Sequence, residues 1–389
     1  MLEICSHTQC TGCGACVSVC PKGAVSLKEG RLGALCSSID VDKCIDCGLC
    51  AKVCPVTSPV ELNKPRRSYA SYAYSSQERS TSASGGAAAV MTKYVLKQGG
   101  VVYGCAQESG MNIGHLRIEN PADADLLKGS KYVHGTLNKI LPQLKDDVKA
   151  GRNVFFIGLP CQVASVVNFV GESENLLTMD MCCHGAPSKT LLNEHLAYLG
   201  WPTSDKVSFR KKTPSGIEYA FTLYDKQGKC TYDHPAERDC YMTGFLTGLF
   251  VRECCFNCKY ARPERCSDVT LADHWAIGIS EDPEMVLSKG ISTVLVNTEK
   301  GAKFFTKAKS KLILEERPMS ESLRNGQFIA PTIKPAEYDV FAEAYRKEGY
   351  AKACDKYIPP LQRKMFIHEI KSRYYRSPIR QFIRKLLKK

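Results

Sequence analysis

From residue 84 onward, apolar and polar positions alternate in short blocks, as in a mixed α/β domain. Residues 87–97 read as a helix and 100–105 as the strand after it. Residues 153–158 are apolar after Asn153, which predicts a buried strand running into Leu159-Pro160-Cys161 and a helix through residue 170. A further strand over 176–182 ends in Cys183-His184-Gly185, and Ser188 is placed to cap a helix over 188–199. Residues 207–211, 219–223, 269–272 and 293–297 read as strands, and 299–309 as an amphipathic helix. The first 58 residues lack this pattern and show only short strand-like stretches at 24–27 and 38–41. Between the two regions, residues 59–83 carry Pro59, Pro65, Arg66, Arg67 and a serine-rich patch, which predicts a linker. The expected order is therefore a small domain over 1–58, a linker over 59–83, a large domain over 84–358 and a tail over 359–389.

Composition narrows the class. The chain has 389 residues and 44% apolar content, enough for a sizeable core. No stretch reaches the roughly 18 apolar residues of a membrane span, and the start has no basic and apolar leader pattern. Twenty-one cysteines in such a chain argue for metal ligation in a reducing compartment, so the cytoplasm is the expected location. The net charge of +13 is concentrated, because residues 363–389 hold ten Lys/Arg and the single acid Glu369. With the body close to neutral, no nucleic-acid partner is expected.

Eight of the cysteines fall in two runs offset by 34 residues. Cys10-x2-Cys13-x2-Cys16-x3-Cys20-Pro21 and Cys44-x2-Cys47-x2-Cys50-x3-Cys54-Pro55 have the spacing of dicluster ferredoxins. In that arrangement the fourth cysteine of each run serves the other cluster. One 4Fe-4S cluster is then expected on Cys10, Cys13, Cys16 and Cys54, and another on Cys44, Cys47, Cys50 and Cys20. Zinc favours two separated Cys-x2-Cys pairs, and disulfides an oxidising compartment, so both are the poorer reading.

The large domain has chemistry of its own. Gly158-Leu-Pro-Cys161-Gln162 and Cys182-Cys183-His184-Gly185 stand at strand-to-helix junctions, and Cys255-x2-Cys258 follows. Cys161, Cys183, Cys255 and Cys258 would supply four thiolates, enough for a third cubane. Cys182, Cys254 and Cys266 flank them as substitutes, whereas Cys5, Cys36, Cys105, Cys230, Cys240 and Cys354 read as buried structural thiols. Ser84-Gly85-Gly86 precedes a helix, where backbone amides and the helix dipole suit a phosphate. Lys128-Gly-Ser130-Lys131-Tyr132 could add donors for a pyrophosphate or a flavin edge.

Taken together, these pieces resemble the beta-subunit family of coenzyme F420 hydrogenases and dehydrogenases over residues 80–320. They are Ser-Gly-Gly at 84–86, Gly-Ser-Lys-Tyr at 129–132, Gly-Leu-Pro-Cys-Gln at 158–162, Cys-His-Gly at 183–185, Cys255/Cys258 and Asp268-Val-Thr to Asp273-His-Trp275. The departures are His274, where an aromatic residue is commoner, and the extra Cys254 and Cys266. The resemblance implies an α+β protein: a small dicluster ferredoxin-like domain followed by a larger mixed α/β flavin-binding domain. It makes Ser84, Gly85, Gly86, Ser130, Lys131 and Tyr132 the FAD-contact candidates. It also makes Cys161, Cys183, Cys255 and Cys258 the third-cluster candidates. The implied activity is an iron–sulfur flavoprotein oxidoreductase working between a ferredoxin-like redox partner and a small-molecule redox substrate. That substrate is coenzyme F420-like or another organic molecule. The alternative is a non-catalytic electron-transfer subunit, since some family members are encoded beside polysaccharide biosynthesis enzymes. His184 and His115 are the histidines placed to act as acid or base.

At the C-terminus, Ile379, Phe382, Ile383, Leu386 and Leu387 form one apolar helical stripe flanked by Arg380, Arg384, Lys385, Lys388 and Lys389. Such a helix suits peripheral contact with an anionic membrane, here its inner face.

Overall fold

The computed structural model describes residues 3–200, 204–214, 216–275 and 277–376. The N-terminal module contributes one antiparallel hairpin, β1 (Val25–Glu29) and β2 (Leu35–Ile39). The remaining strands are β3 (Arg67–Ala73), β4 (Val101–Glu108), β5 (Asn112–Ile118), β6 (Val154–Gly158), β7 (Leu176–Met181), β8 (Lys206–Thr213), β9 (Gly216–Tyr224), β10 (Cys230–Pro235), β11 (Val269–Asp273), β12 (Ser292–Val296) and β13 (Leu312–Glu316). Eight of these form a mixed sheet in the order β13-β3-β12-β11-β7-β6-β4-β5. Its centre, from β4 through β6 and β7 to β11, is parallel, and its flanks are antiparallel. Strands β8, β9 and β10 form a separate antiparallel meander. The chain is thus the mixed helix-and-strand protein expected.

Parallel strands are covered on both faces, so they read as continuous apolar runs. On one face, helices Ala87–Lys97 and Glu299–Ala308 bring Met91, Val95 and Phe305 against Phe155, Val269 and Val294. On the other, helices Leu141–Lys149 and Pro160–Val170 bring Leu144, Val163 and Val166 against Val101, Tyr103, Val154 and Phe156. Cys13, Ala15 and Val53 of the N-terminal module belong to this second core. A third core joins the meander to the C-terminal helices through Phe209, Phe221, Tyr241, Phe341, Tyr350 and Ile358.

The linker expected over 59–83 is corrected by the structure. Strand β3 lies inside the sheet between β12 and β13, and helix Ser76–Thr81 follows it. Its Arg-Ser-Tyr-Ala-Ser-Tyr-Ala sequence reads as polar, but both serines are buried with partners. Ser71 Oγ donates to Ser292 O at 3.1 Å, and Ser68 pairs with Ser322. Arg79 is buried as well and donates to Gly290 O at 2.8 Å and Glu284 O at 2.9 Å. The boundary at 358/359 is also not observed, because helix Tyr350–Arg376 runs across it with Pro359 and Pro360 inside. Burial of Tyr350, Ala353, Cys354, Ile358 and Leu361 holds this stretch on the body despite the prolines. Strands β5, β10 and β13 had no counterpart in the sequence pattern. The stripe from Ile379 to Leu387 lies outside the described residues.

Gly85 marks the tightest point beside β3. A methyl group there would overlap the Ser71 carbonyl oxygen and stand 2.6 Å from Ser292 N, both main-chain atoms of paired strands. Gly85→Ala should therefore destabilise the fold by about 1–3 kcal/mol, seen as a lower thermal midpoint by circular dichroism.

Candidate functional site

The cysteine runs build two matching turns. Gly14 and Gly48 hold φ near +83° and +72° and cap the short helices Ala15–Val19 and Leu49–Lys52. That left-handed conformation suits glycine, and it turns each loop around a common centre. Cys20, Cys44, Cys47 and Cys50 line one apolar pocket with Ile39, Ile45 and Leu49. Cys10, Cys13, Cys16 and Cys54 form the other group: burial lifts the Cys13 pKa, and the Cys54 and Cys10 sulfurs lift it further. The sulfurs also receive main-chain N–H groups, from Ser37 to Cys10 at 3.5 Å and from Ala24 to Cys20 at 3.3 Å. Each group brings four thiols together beside main-chain amides, which fits a cubane. Among the described residues no three metal-binding side chains converge as one ion would need; a cubane instead spreads its thiolates over four iron corners.

The two groups face opposite ways. Leu137 N donates to Cys13 O at 2.8 Å and Ser18 Oγ to Asn138 O at 3.0 Å, which fixes the first group against the large domain. The Cys20, Cys44, Cys47 and Cys50 group points outward, with Cys47 exposed and Ile45 58% exposed beside it. Cys5 and Cys36 lie close beside Cys10 of the first group, and Cys36 Sγ donates to His7 O at 3.6 Å. Cys230 is exposed and departs from the buried reading, whereas Cys354 is fully buried.

A third set of sulfurs meets across about 100 residues of chain. Cys161 opens helix Pro160–Val170, Cys183 follows β7, Cys255 lies in helix Glu253–Phe256 and Cys258 just after it. Burial raises the Cys161 pKa, Arg252 opposes this, and Cys258, Cys183 and Cys255 add to it. The Gly185 N–H points to Cys183 Sγ at 3.4 Å. Cys254 lies beside Cys255 and near Cys161. Cys266 Sγ instead donates to Pro160 O at 3.3 Å. Gln162 anchors the Cys161 turn by accepting from Leu159 N at 2.9 Å and donating to Gly135 O at 2.8 Å.

Next to this quartet is a cavity of about 410 Å³. Gly104 and Cys105, Ile157 to Leu159, Met181 to Ala186 and Leu271 to Asp273 line it, toward the carboxyl ends of the parallel strands. Open α/β sheets bind ligands in that position. Of the predicted contacts, Ser84, Gly86, Ser130, Lys131 and Tyr132 line the cavity, and Gly85 instead packs on the strand backbones. Gly86 caps helix Ala87–Lys97 with φ +92°. Lys131 Nζ donates to Lys128 O at 2.6 Å and Leu126 O at 3.3 Å, and burial draws its pKa down to about 8. Tyr132 stacks on Phe245 with centroids 4.4 Å apart.

Both predicted histidines line the cavity. His184 Nδ1 is 3.2 Å from Gln327 Nε2, and burial lowers its pKa. His115 stacks on Phe156 at 5.9 Å, has no ring partner among the described residues and is drawn down to about 4 by burial. Sequence reasoning missed Arg210, which also lines the cavity. Arg210 donates to Asp273 at 2.9 Å and lies 5.8 Å from the centre of the Trp275 ring. An arginine in an ordinary alternating strand gives no signal of this role.

Fold and sites together define an iron–sulfur electron-transfer protein. Residues 151–322 match the family model for the C terminus of the coenzyme F420 hydrogenase/dehydrogenase beta subunit, and residues 9–58 match the 4Fe-4S dicluster domain. Residues 151–322 are thus similar to the C terminus of that beta subunit, and the N-terminal module is a dicluster domain for two 4Fe-4S clusters. The segments at 84–86 and 129–132 precede the matched residues. No curated protein matches the chain. Among solved structures, a chain of the F420-reducing NiFe hydrogenase complex from Methanosarcina barkeri is similar at 16% identity and a TM-score of 0.45. The match covers 78% of this chain and 92% of that one.

The crossed arrangement has a direct test. Cys54→Ala should remove the inner cluster and Cys20→Ala the outer one, although each lies in the other run. Electron paramagnetic resonance of reduced samples should show the coupling between the two dicluster centres lost in each variant, with one of the two signals missing. Crossing requires Cys54→Ala to lose the same signal as Cys10→Ala; losing the signal that Cys44→Ala loses would contradict it.

Proposed function

We propose that the chain is a flavin-dependent oxidoreductase that passes electrons between a ferredoxin-type carrier and a two-electron organic partner, coenzyme F420-like or another. One observation carries this reading: Cys183 belongs both to the third sulfur quartet and to the wall of the 410 Å³ cavity. Ser84, Gly86, Ser130, Lys131 and Tyr132 would hold FAD there, and Cys161, Cys183, Cys255 and Cys258 a third 4Fe-4S cluster. When bound, a flavin exchanges electrons in pairs and a cubane one at a time, so the two together convert between the regimes.

The residues supply the rest. Amides at the start of helix Ala87–Lys97 and the Lys131 ammonium oppose phosphate charge. Leu127, Ile157 and Phe245 keep part of the wall apolar and limit water. His184, held at Nδ1 by Gln327, is the side chain set to take or give a proton at Nε2, which has no partner among the described residues. The outward-facing Cys20, Cys44, Cys47 and Cys50 group is the side from which a soluble carrier reaches the chain.

Anaerobically isolated protein should contain about twelve iron per chain and one FAD. About eight iron would remove the third cluster, and clusters without flavin would leave an electron-transfer subunit serving a separate enzyme.

Lys131 gives a pH signature. Its pKa is drawn down to about 8, so the free protein loses this cation as pH rises through that value. Flavin retention should therefore weaken between pH 7 and pH 9. In Lys131→Gln, retention should be lower at pH 7 and nearly flat across that window, as measured by flavin fluorescence after desalting.

A peripheral contact with anionic membrane is part of the same reading. Among the described residues no helix is long and apolar enough to cross a membrane. Phe366, Ile367 and Ile370 are nevertheless 45–51% exposed on helix Tyr350–Arg376, just ahead of the basic end of the chain. Removing residues 363–389 should abolish co-sedimentation with phosphatidylserine vesicles; equal binding of both chains would refute the contact.

A further inference from the structure

Arg252 reaches the first cysteine loop and lies beside the third sulfur quartet while belonging to neither. It caps helix Glu253–Phe256, and its main-chain oxygen accepts from Cys255 N at 2.9 Å. Its side chain turns the other way, and Nη1 donates to Thr11 O in the loop between Cys10 and Cys13. A side chain at Gly12 would come within 3.3 Å of this same Nη1 and of the His134 ring, so the three groups are closely packed. Arg252 is 4% exposed, and its Nε has no partner among the described residues. Such a cation is expensive to bury without a counter-charge. The carboxylate of its neighbour Glu253 is engaged elsewhere, by Arg31 at 3.0 Å. The groups whose charge acts on Arg252 are the sulfurs of Cys254, Cys255, Cys161 and Cys183.

Resting on the reading that the quartet holds a cluster, we infer that Arg252 is a positioning residue that sets the relative reduction potentials along the chain. A fixed positive charge favours the more negative, reduced form of a nearby cluster and so raises its potential. The effect should be largest at the Cys161, Cys183, Cys255 and Cys258 site, smaller at the Cys10, Cys13, Cys16 and Cys54 site, and absent at the outward Cys20, Cys44, Cys47 and Cys50 site. Arg252 therefore biases electrons arriving from the surface toward the cavity.

The outer site is an internal control in the same molecule. Full-length Arg252→Gln, which removes the charge but keeps a donor for Thr11 O, and Arg252→Lys, which keeps the charge, would be isolated anaerobically. Potentiometric titration followed by electron paramagnetic resonance would then read each cluster. Arg252→Gln should shift the third-site signal clearly to lower potential, the inner site less, and the outer site not at all. Arg252→Lys should stay near the wild-type values. An unchanged third-site potential in Arg252→Gln, equal shifts at all three sites, or equal shifts in both variants would overturn the assignment. Should Arg252→Gln fail to assemble, Arg252→Lys decides alone, and a third-site potential well below wild type overturns the role. About eight iron in the wild-type chain, by contrast, overturns the third cluster itself and is read before any variant is made.

Discussion

The packing of the first cysteine loop into the large domain is the constraint on which the other sites depend. Cys13, Ala15 and Val53 are part of the core beneath Val154 and Phe156, and Cys13 O is tied to Leu137 N. An iron–sulfur module on a flexible tether would meet its acceptor only by diffusion. Here the module shares the core of the sheet that positions Cys161 and Cys183. The distance between the first and third sulfur groups is consequently fixed by apolar packing, and loosening that core would loosen the route for electrons with it.

The sheet performs the second task. Its parallel strands β4, β6, β7 and β11 all run toward the cavity, so short turns after β6 and β7 deliver Cys161 and Cys183 to one place. The meander β8–β10 closes the opposite side with Arg210 and Tyr219. Sulfur and cavity thus share a wall because consecutive strand ends share a sheet edge. That economy explains why glycine and proline crowd the junctions at 158–160 and 185–187: helix and strand must be joined there in very few residues.

What the sequence disclosed follows the range of the forces involved. The cysteine runs were legible because a cubane is wrapped by a dozen consecutive residues, and the crossed pairing comes from the same local geometry. The buried parallel strands were legible because they are apolar without interruption. Strand β3 was hidden because its serines satisfy their hydroxyls only against Ser292 and Ser322, more than 200 residues away. Cys161, Cys183, Cys255 and Cys258 could be proposed as a set from their motifs, but their convergence needed the fold. Arg210 and Arg252 were silent, because a buried arginine looks like a surface one until its surroundings are known. The same holds for the Pro359-Pro360 pair, which reads as a break and lies within a helix held down by residues on both sides.

The exposure of the three sulfur groups gives the molecule a direction in space. Cys47 is open to solvent, the Cys10 and Cys13 group is covered by the large domain, and Cys183 stands in the wall of the cavity. Chemistry in single electrons needs contact with another protein, and a cluster near the surface satisfies it. The chemistry in pairs proposed for the cavity needs protection from water and adventitious oxidants, which walls of Phe245, Ile157 and Leu127 would provide. A single site could not meet both requirements, since access for a carrier protein is also access for solvent. Separating them by a buried middle station would resolve the conflict. It also accounts for why the dicluster module is built into the large domain instead of being hung from it.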